Sequence, residues 1–147
     1  MTIFDSKLIV TNLEVKSKEE LFEVLARILL EEKRITDLDV FLEALWKRER
    51  IIPTGMGRQV AIPHGKSTSV TEPSVVFARL KRPMEYQAID GQPIELVFMI
   101  AMPEESDRLH LEVLSQLATK LLDDEMISKF KTSEDVRQIY QLLSKEL

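Results

Sequence analysis

The chain has two histidines, and one of them, His64, stands where the short apolar run Ala61-Ile62 stops at Pro63 and Gly65. Imidazole is the side chain whose ordinary pKa keeps both the neutral and the cationic form within reach near neutrality. A held histidine can therefore act as nucleophile, base or ligand. The Pro-His-Gly setting predicts an exposed imidazole on a stiff turn, and taken alone it fits an idle surface histidine better than a reactive one. The surroundings change that balance. Between Arg48 and Lys66 lie Gly55, Gly57 and Gly65, three of the four glycines in the chain. Glycines at that density mark a backbone held in a conformation, or at an approach, that a side chain would obstruct.

Glu49, six intervening residues, and then Met56-Gly57-Arg58-Gln59-Val60-Ala61-Ile62-Pro63-His64-Gly65 resemble the active-histidine signature of a known family. These are the type 2 enzyme IIA domains, the fructose/mannitol class, of the bacterial phosphoenolpyruvate-dependent sugar phosphotransferase system. The resemblance continues through Glu72 to Leu80, Ile89 to Pro103 and His110 to Leu114, and so covers nearly the whole chain. Asp90-Gly91-Gln92-Pro93 and Phe98-Met99-Ile100-Ala101 are more similar to the fructose branch than to the mannitol branch. Gly65 departs from that branch, whose members often carry Ala there. Gln59 stands where many members have a small residue, often Gly, so the loop before the next strand is expected to take a different path.

The resemblance implies a phosphocarrier. Phospho-HPr would give its phosphoryl group to His64, and His64 would pass it to a cysteine on a sugar-specific IIB component, coupled to uptake through a membrane IIC component. It also implies that His110 and Arg48 stabilise the phosphoryl group and that neither cofactor nor metal takes part. The chain has no cysteine, so the IIB and IIC partners are expected on other polypeptides. The alternative is a regulatory module of the nitrogen type, in which the phosphorylation state of the same histidine controls docking to partner proteins.

The same residues also have readings of their own. His110 falls one turn inside an expected helix, where free amides and the helix dipole attract anions, but it could equally pack on an amphipathic face. Arg48 could be a dipole partner at a helix end, and Glu49 either an orienting carboxylate or a surface charge. Thr54 could donate to phosphate or serve the turn. The amides near Gly55 and Gly57 are further candidate donors. Met56 and Ile62 are candidates for an apolar docking patch beside His64. For attack on phosphorus, one His64 nitrogen must be bare and the other held by an acceptor, with Nε2 the expected nucleophile.

Composition agrees with a protein of this kind. At 147 residues, 44% hydrophobic and 31% charged, the chain is expected to form one domain, residues 1–147. Its net charge of −5 is interspersed, without the basic stripe that nucleic acid requires. No secretory core is evident, and the longest apolar run, near Leu96 to Met102, is too short for a bilayer. A cytoplasmic location is expected.

The elements that must position these residues follow from periodicity. A strand is predicted over Leu8 to Val15, and then a helix opened by the capping box Ser17-Lys18-Glu19-Glu20 and running to about Lys33. A second helix from about Leu38 carries Phe41, Leu42, Leu45 and Trp46 on one face and delivers Arg48 near the glycine loop. Strands follow at Gln59–Ile62, Ser74–Lys81 and Ile94–Met102. Helices at 106–123, 125–130 and 134–143 close the chain, the last opened by Thr132 or Ser133. The order is β-α-α-β-β-β-α-α-α. Helices on both sides of the strands predict a three-layer α/β/α sandwich, and the resemblance implies a mixed central sheet.

Overall fold

In the computed structural model, which describes residues 3–144, a 3-10 turn (Ser6–Leu8) leads into β1 (Ile9–Leu13), α1 (Lys18–Glu31) and α2 (Leu38–Ile51). Then come β2 (Gly55–Gly57), β3 (Val60–Ala61), β4 (His64–Ser67), β5 (Ser74–Met84) and β6 (Ile94–Pro103), followed by α3 (Asp107–Lys120), α4 (Asp124–Thr132) and α5 (Val136–Ser144). The helix starts are chemically specified. Ser17 Oγ accepts from the Glu20 amide at 3.1 Å, and the Glu20 carboxylate accepts from the Lys16 amide at 3.2 Å. Asp37 caps α2 through the Val40 amide. The last helix departs from expectation: Asp135 accepts from the Arg137 amide at 2.8 Å, whereas Ser133 terminates α4.

The sheet is mixed, in the order β1-β5-β6-β3-β2, with β4 also paired to β6. β1 runs parallel to β5, β5 antiparallel to β6, and β3 and β4 both run parallel to β6. Successive side chains of a strand point to opposite faces, and β6 uses this to divide the molecule. Val97, Met99 and Ala101 enter the core beneath α1 and α2; Leu96, Phe98, Ile100 and Met102 enter the core beneath α3, α4 and α5. The second core centres on Phe77, Phe98 and Phe130, whose ring centroids lie 5.2–5.5 Å apart. Full burial of such side chains stabilises the fold by about 1.5–3 kcal/mol each. The architecture is a three-layer α/β/α sandwich.

One stretch is more finely divided than its sequence suggests. The single strand expected at Gln59–Ile62 is three short strands, so the order contains five strands between α2 and α3 instead of three. Pro63 has no amide to continue a ladder, yet its carbonyl accepts from the Ile100 amide at 2.9 Å. Pairing with β6 therefore lapses at Ile62 and resumes at His64, with His64 opposite Ile100 and Ser67 opposite Pro103. Ahead of it, Gly57, Arg58 and Gln59 have φ of 92°, 57° and 67°. Left-handed backbone costs a non-glycine residue roughly 1–2 kcal/mol, so Arg58 and Gln59 need anchors. The Arg58 amide donates to Asp90 Oδ2 at 2.8 Å, and its guanidinium donates to the Leu121 carbonyl and pairs with Asp124. Gln59 Oε1 accepts from Lys131 Nζ at 2.6 Å. Those contacts accommodate Gln at a position where glycine is the unstrained choice. Among the described residues, no helix is long and apolar enough to cross a membrane.

Candidate functional site

His64 is the first residue of β4 and is 9% exposed. The expected exposed turn is thus corrected to a strand position, because the Pro63 carbonyl draws the following residues onto β6. Strand alternation sends His64 toward α3 and Gly65 toward α2. A Cβ on Gly65 would lie 3.2 Å from the Leu45 amide nitrogen, so glycine lets α2 approach β4 closely. His64 Nδ1 lies 2.9 Å from the Ile62 carbonyl oxygen. A carbonyl only accepts, so Nδ1 carries the proton and Nε2 keeps its lone pair. Burial lowers the His64 pKa, helped by the Arg48 charge and opposed by the Ile62 carbonyl.

His110, in the first turns of α3, brings its ring to 5.0 Å from that of His64, edge to face at 73°. Its Nε2 is buried without a hydrogen-bond partner. Burial, then the neighbouring His64 and Lys66, pushes its pKa down to about 4. Both rings are consequently neutral near pH 7. Arg48, in the last turn of α2, donates to the Ile52 carbonyl at 2.8 Å and lines two depressions that meet at His64. The larger, about 620 Å³, is shared with His110, Lys47, Lys66 and Asp107; the smaller, about 320 Å³, runs past Thr54, Gly55, Met56 and Ile89. Lys66, two residues after His64 and on the same strand face, pairs with Asp107. The site thus gathers a neutral imidazole with one bare nitrogen, a second, unpartnered imidazole nitrogen and a group of cations, an arrangement chemically able to stabilise developing charge on phosphoryl oxygens.

Glu49 is buried at 4% exposure, which excludes its surface-charge reading. It continues the buried stripe Phe41-Leu45-Glu49 of α2 at helical spacing. Its Oε2 accepts from the Thr54 amide at 2.9 Å and Lys18 Nζ at 3.0 Å; its Oε1 accepts from Thr54 Oγ1 at 2.6 Å and Tyr86 Oη at 3.0 Å. Burial pushes the carboxyl pKa up, but the two Thr54 donors and Lys18 outweigh it and hold the group below its usual range. The only proton of the Thr54 hydroxyl is thereby engaged at the base of the loop. Gly55 has no room for a side chain, since a Cβ there would stand 2.4 Å from the Gln87 carbonyl oxygen. Of the two candidate docking residues, Met56 is exposed and Ile62 is buried in the core; Ile51, Ile52, Ile89 and Leu111 are exposed instead.

The structure therefore brings His64, His110 and Arg48 to one depression and sets Thr54, Gly55 and Gly57 in the loop beside it, tied at Thr54 to Glu49 of α2. Sequence reasoning missed Lys66, Asp107, Tyr86 and Lys18. The helical stripe ending in Glu49 signalled a buried carboxylate in need of partners, and Lys66 follows His64 at the strand period. Tyr86 and Lys18 carry no comparable local signal. Among the described residues, no group of three or more His, Cys, Asp or Glu side chains could hold a metal ion.

One family matches nearly the whole chain. The chain belongs to the EIIA 2 family of the phosphoenolpyruvate-dependent sugar phosphotransferase system, whose model matches residues 2–146. It is 36% identical over 133 residues to the fructose-specific EIIABC component of Bacillus subtilis, covering 90% of this chain but only 21% of that much longer protein. It is 37% identical over 132 residues to a nitrogen regulatory protein of Bradyrhizobium diazoefficiens, covering 90% of this chain and 86% of that one. The crystal structure of nitrogen regulatory protein IIA-Ntr from Neisseria meningitidis superposes with a TM-score of 0.90 at 35% identity, covering 97% of each chain.

Proposed function

We propose that this chain is a cytoplasmic phosphocarrier in which His64 Nε2 takes a phosphoryl group from phospho-HPr. The bond from phosphorus to the donor nitrogen breaks as the bond to Nε2 forms. His110, Arg48 and Lys66 meet the charge on the phosphoryl oxygens, and Glu49, Thr54, Gly55 and Gly57 keep the neighbouring loop in place. The observation that carries this reading is the 2.9 Å contact of His64 Nδ1 with the Ile62 carbonyl, which leaves Nε2 bare beside the neutral His110.

The phosphoryl group then passes to the cysteine of a fructose-type IIB component, coupled to sugar uptake through a membrane IIC component on another chain; the 36% identity to the Bacillus fructose component supports this. A regulatory role of the nitrogen type is the second reading, favoured by the 35% identity and matching length of the Neisseria protein. Both use the same His64 step and differ in the fate of the phosphoryl group once His64 holds it. The test is to present the phosphorylated protein to a fructose-type IIB protein. Transfer to its cysteine within seconds to minutes is expected for the transport role. A phosphoryl group retained in its presence, and discharged only by back-transfer to HPr, contradicts transport and leaves the regulatory role.

A further inference from the structure

Behind the site lies a buried cluster whose connections run toward His64. Tyr86, in the segment after β5, is 6% exposed and rests its ring 6.4 Å from that of Phe22, with the Lys18 ammonium 4.1 Å from its centroid on the outer side. Its hydroxyl lies 3.0 Å from Glu49 Oε1 and 2.7 Å from Thr54 Oγ1. The Thr54 hydroxyl proton goes to Glu49, so the single Tyr86 hydroxyl proton is shared between Glu49 Oε1 and Thr54 Oγ1. Lys18 holds the other carboxylate oxygen at 3.0 Å. Glu49 grips Thr54 by amide and hydroxyl together, which restrains the residue that carries the next carbonyl in the chain of bonds. That carbonyl accepts from the Ile62 amide at 3.0 Å, and the Ile62 carbonyl in turn accepts from His64 Nδ1 at 2.9 Å.

We infer that Tyr86 and Lys18 are positioning residues that hold His64 in its Nδ1–H tautomer, acting through Glu49, Thr54 and Ile62. The inference rests on the phosphocarrier reading for its consequence, although the tautomer itself is independent of it. An ionised carboxylate buried at this depth needs its full set of donors, and withdrawing one leaves it to seek another. Among the donors that remain to it are the amide and hydroxyl of Thr54, the groups that orient that residue. A rotated Thr54 peptide releases the Ile62 amide, the Ile62 carbonyl loses its aim, and the imidazole is freed to place its proton on Nε2, where no nucleophile remains. Neither Tyr86 nor Lys18 lines either depression at His64, so neither reaches the site by direct contact, and the ring-nitrogen shifts report whether the chain of bonds carries the effect.

The test uses the full chain with ring nitrogens labelled with 15N. Tyr86→Phe removes one hydroxyl and retains the ring under Lys18; Lys18→Met retains the stem and removes the charge. In wild type the shifts expected are those of protonated Nδ1 and bare Nε2. In either variant the Nε2–H population rises and phosphoryl acceptance slows about three- to tenfold, the effect of one hydrogen bond of ordinary net strength. A wild-type melting profile with unchanged His64 shifts in either folded variant overturns the inference, whatever the rate. If Tyr86→Phe does not fold, Lys18→Met, at a side chain 17% exposed, carries the test alone. If wild type accepts no phosphoryl group yet the shifts respond, the functional reading fails and the positioning role stands.

Discussion

A histidine that attacks phosphorus must be neutral, must have one nitrogen bare, and must face donors that gain strength as charge builds on the phosphoryl oxygens. Each condition has a separate source in this chain. Burial keeps both rings neutral, the Ile62 carbonyl selects the tautomer, and His110, Arg48 and Lys66 face the same depression. His110 offers two independent predictions. His110→Gln slows phosphoryl acceptance by about a hundredfold, as for loss of one preorganised transition-state donor, while His64 remains the modified residue. Its folded-state pKa of about 4 lies below the ordinary 6.5, so the unfolded chain takes up the proton first. The stability this contributes is complete above pH 6.5 and is lost as the pH falls toward 4. Melting temperatures measured across that window should fall less steeply in His110→Gln than in wild type; His64, shifted in the same direction, keeps the remainder of the slope.

At the scale of elements, the glycine loop adjoins the smaller depression at His64. Gly55→Ala drives a Cβ to within 2.6 Å of Ala88 Cβ and closer still to the Gln87 carbonyl, and backbone on that side cannot yield freely. A loss of about 1–3 kcal/mol in denaturant unfolding is expected from such overpacking, together with slower phosphoryl acceptance because Thr54 adjoins the displaced residue. Much of the element order is legible in the sequence. Ser17 with Glu20, the Phe41-Leu45 spacing and the apolar run from Ile94 place α1, α2 and β6 within a few residues of where they lie. The stretch from Gly55 to Ser67 is not, because its path depends on partners distant in sequence. Asp90 and Asp124 hold Arg58, Lys131 holds Gln59, and Ile100 captures Pro63. The burial of Glu49 is half visible, since the α2 stripe reaches it, but Tyr86 and Lys18 come from other elements and only the tertiary fold reveals them.

The molecule as a whole is divided and joined by the same strand. β6 feeds alternate side chains into two cores, so neither can be emptied without stripping the other of its wall. Trp46, the only tryptophan, packs at 4.7 Å from Phe22 on the α1/α2 side, whereas Phe98 lies on the opposite side. Phe98→Ala is expected to cost about 3–5 kcal/mol. The transition followed by Trp46 fluorescence should move by the same amount as the transition followed by far-UV circular dichroism, as in one cooperative unit. Displacement of the circular dichroism transition alone would mean that the two sides unfold separately.

Whether His64 carries the phosphoryl group is tested most directly by the intact mass of wild-type and His64→Ala protein after incubation with phosphoenolpyruvate, enzyme I and HPr. The samples are kept alkaline because phosphohistidine is acid-labile. One added phosphate on wild type and none on a folded His64→Ala variant is the predicted result. A phosphate on both proteins, or on neither while a control IIA protein is modified in parallel, would contradict it.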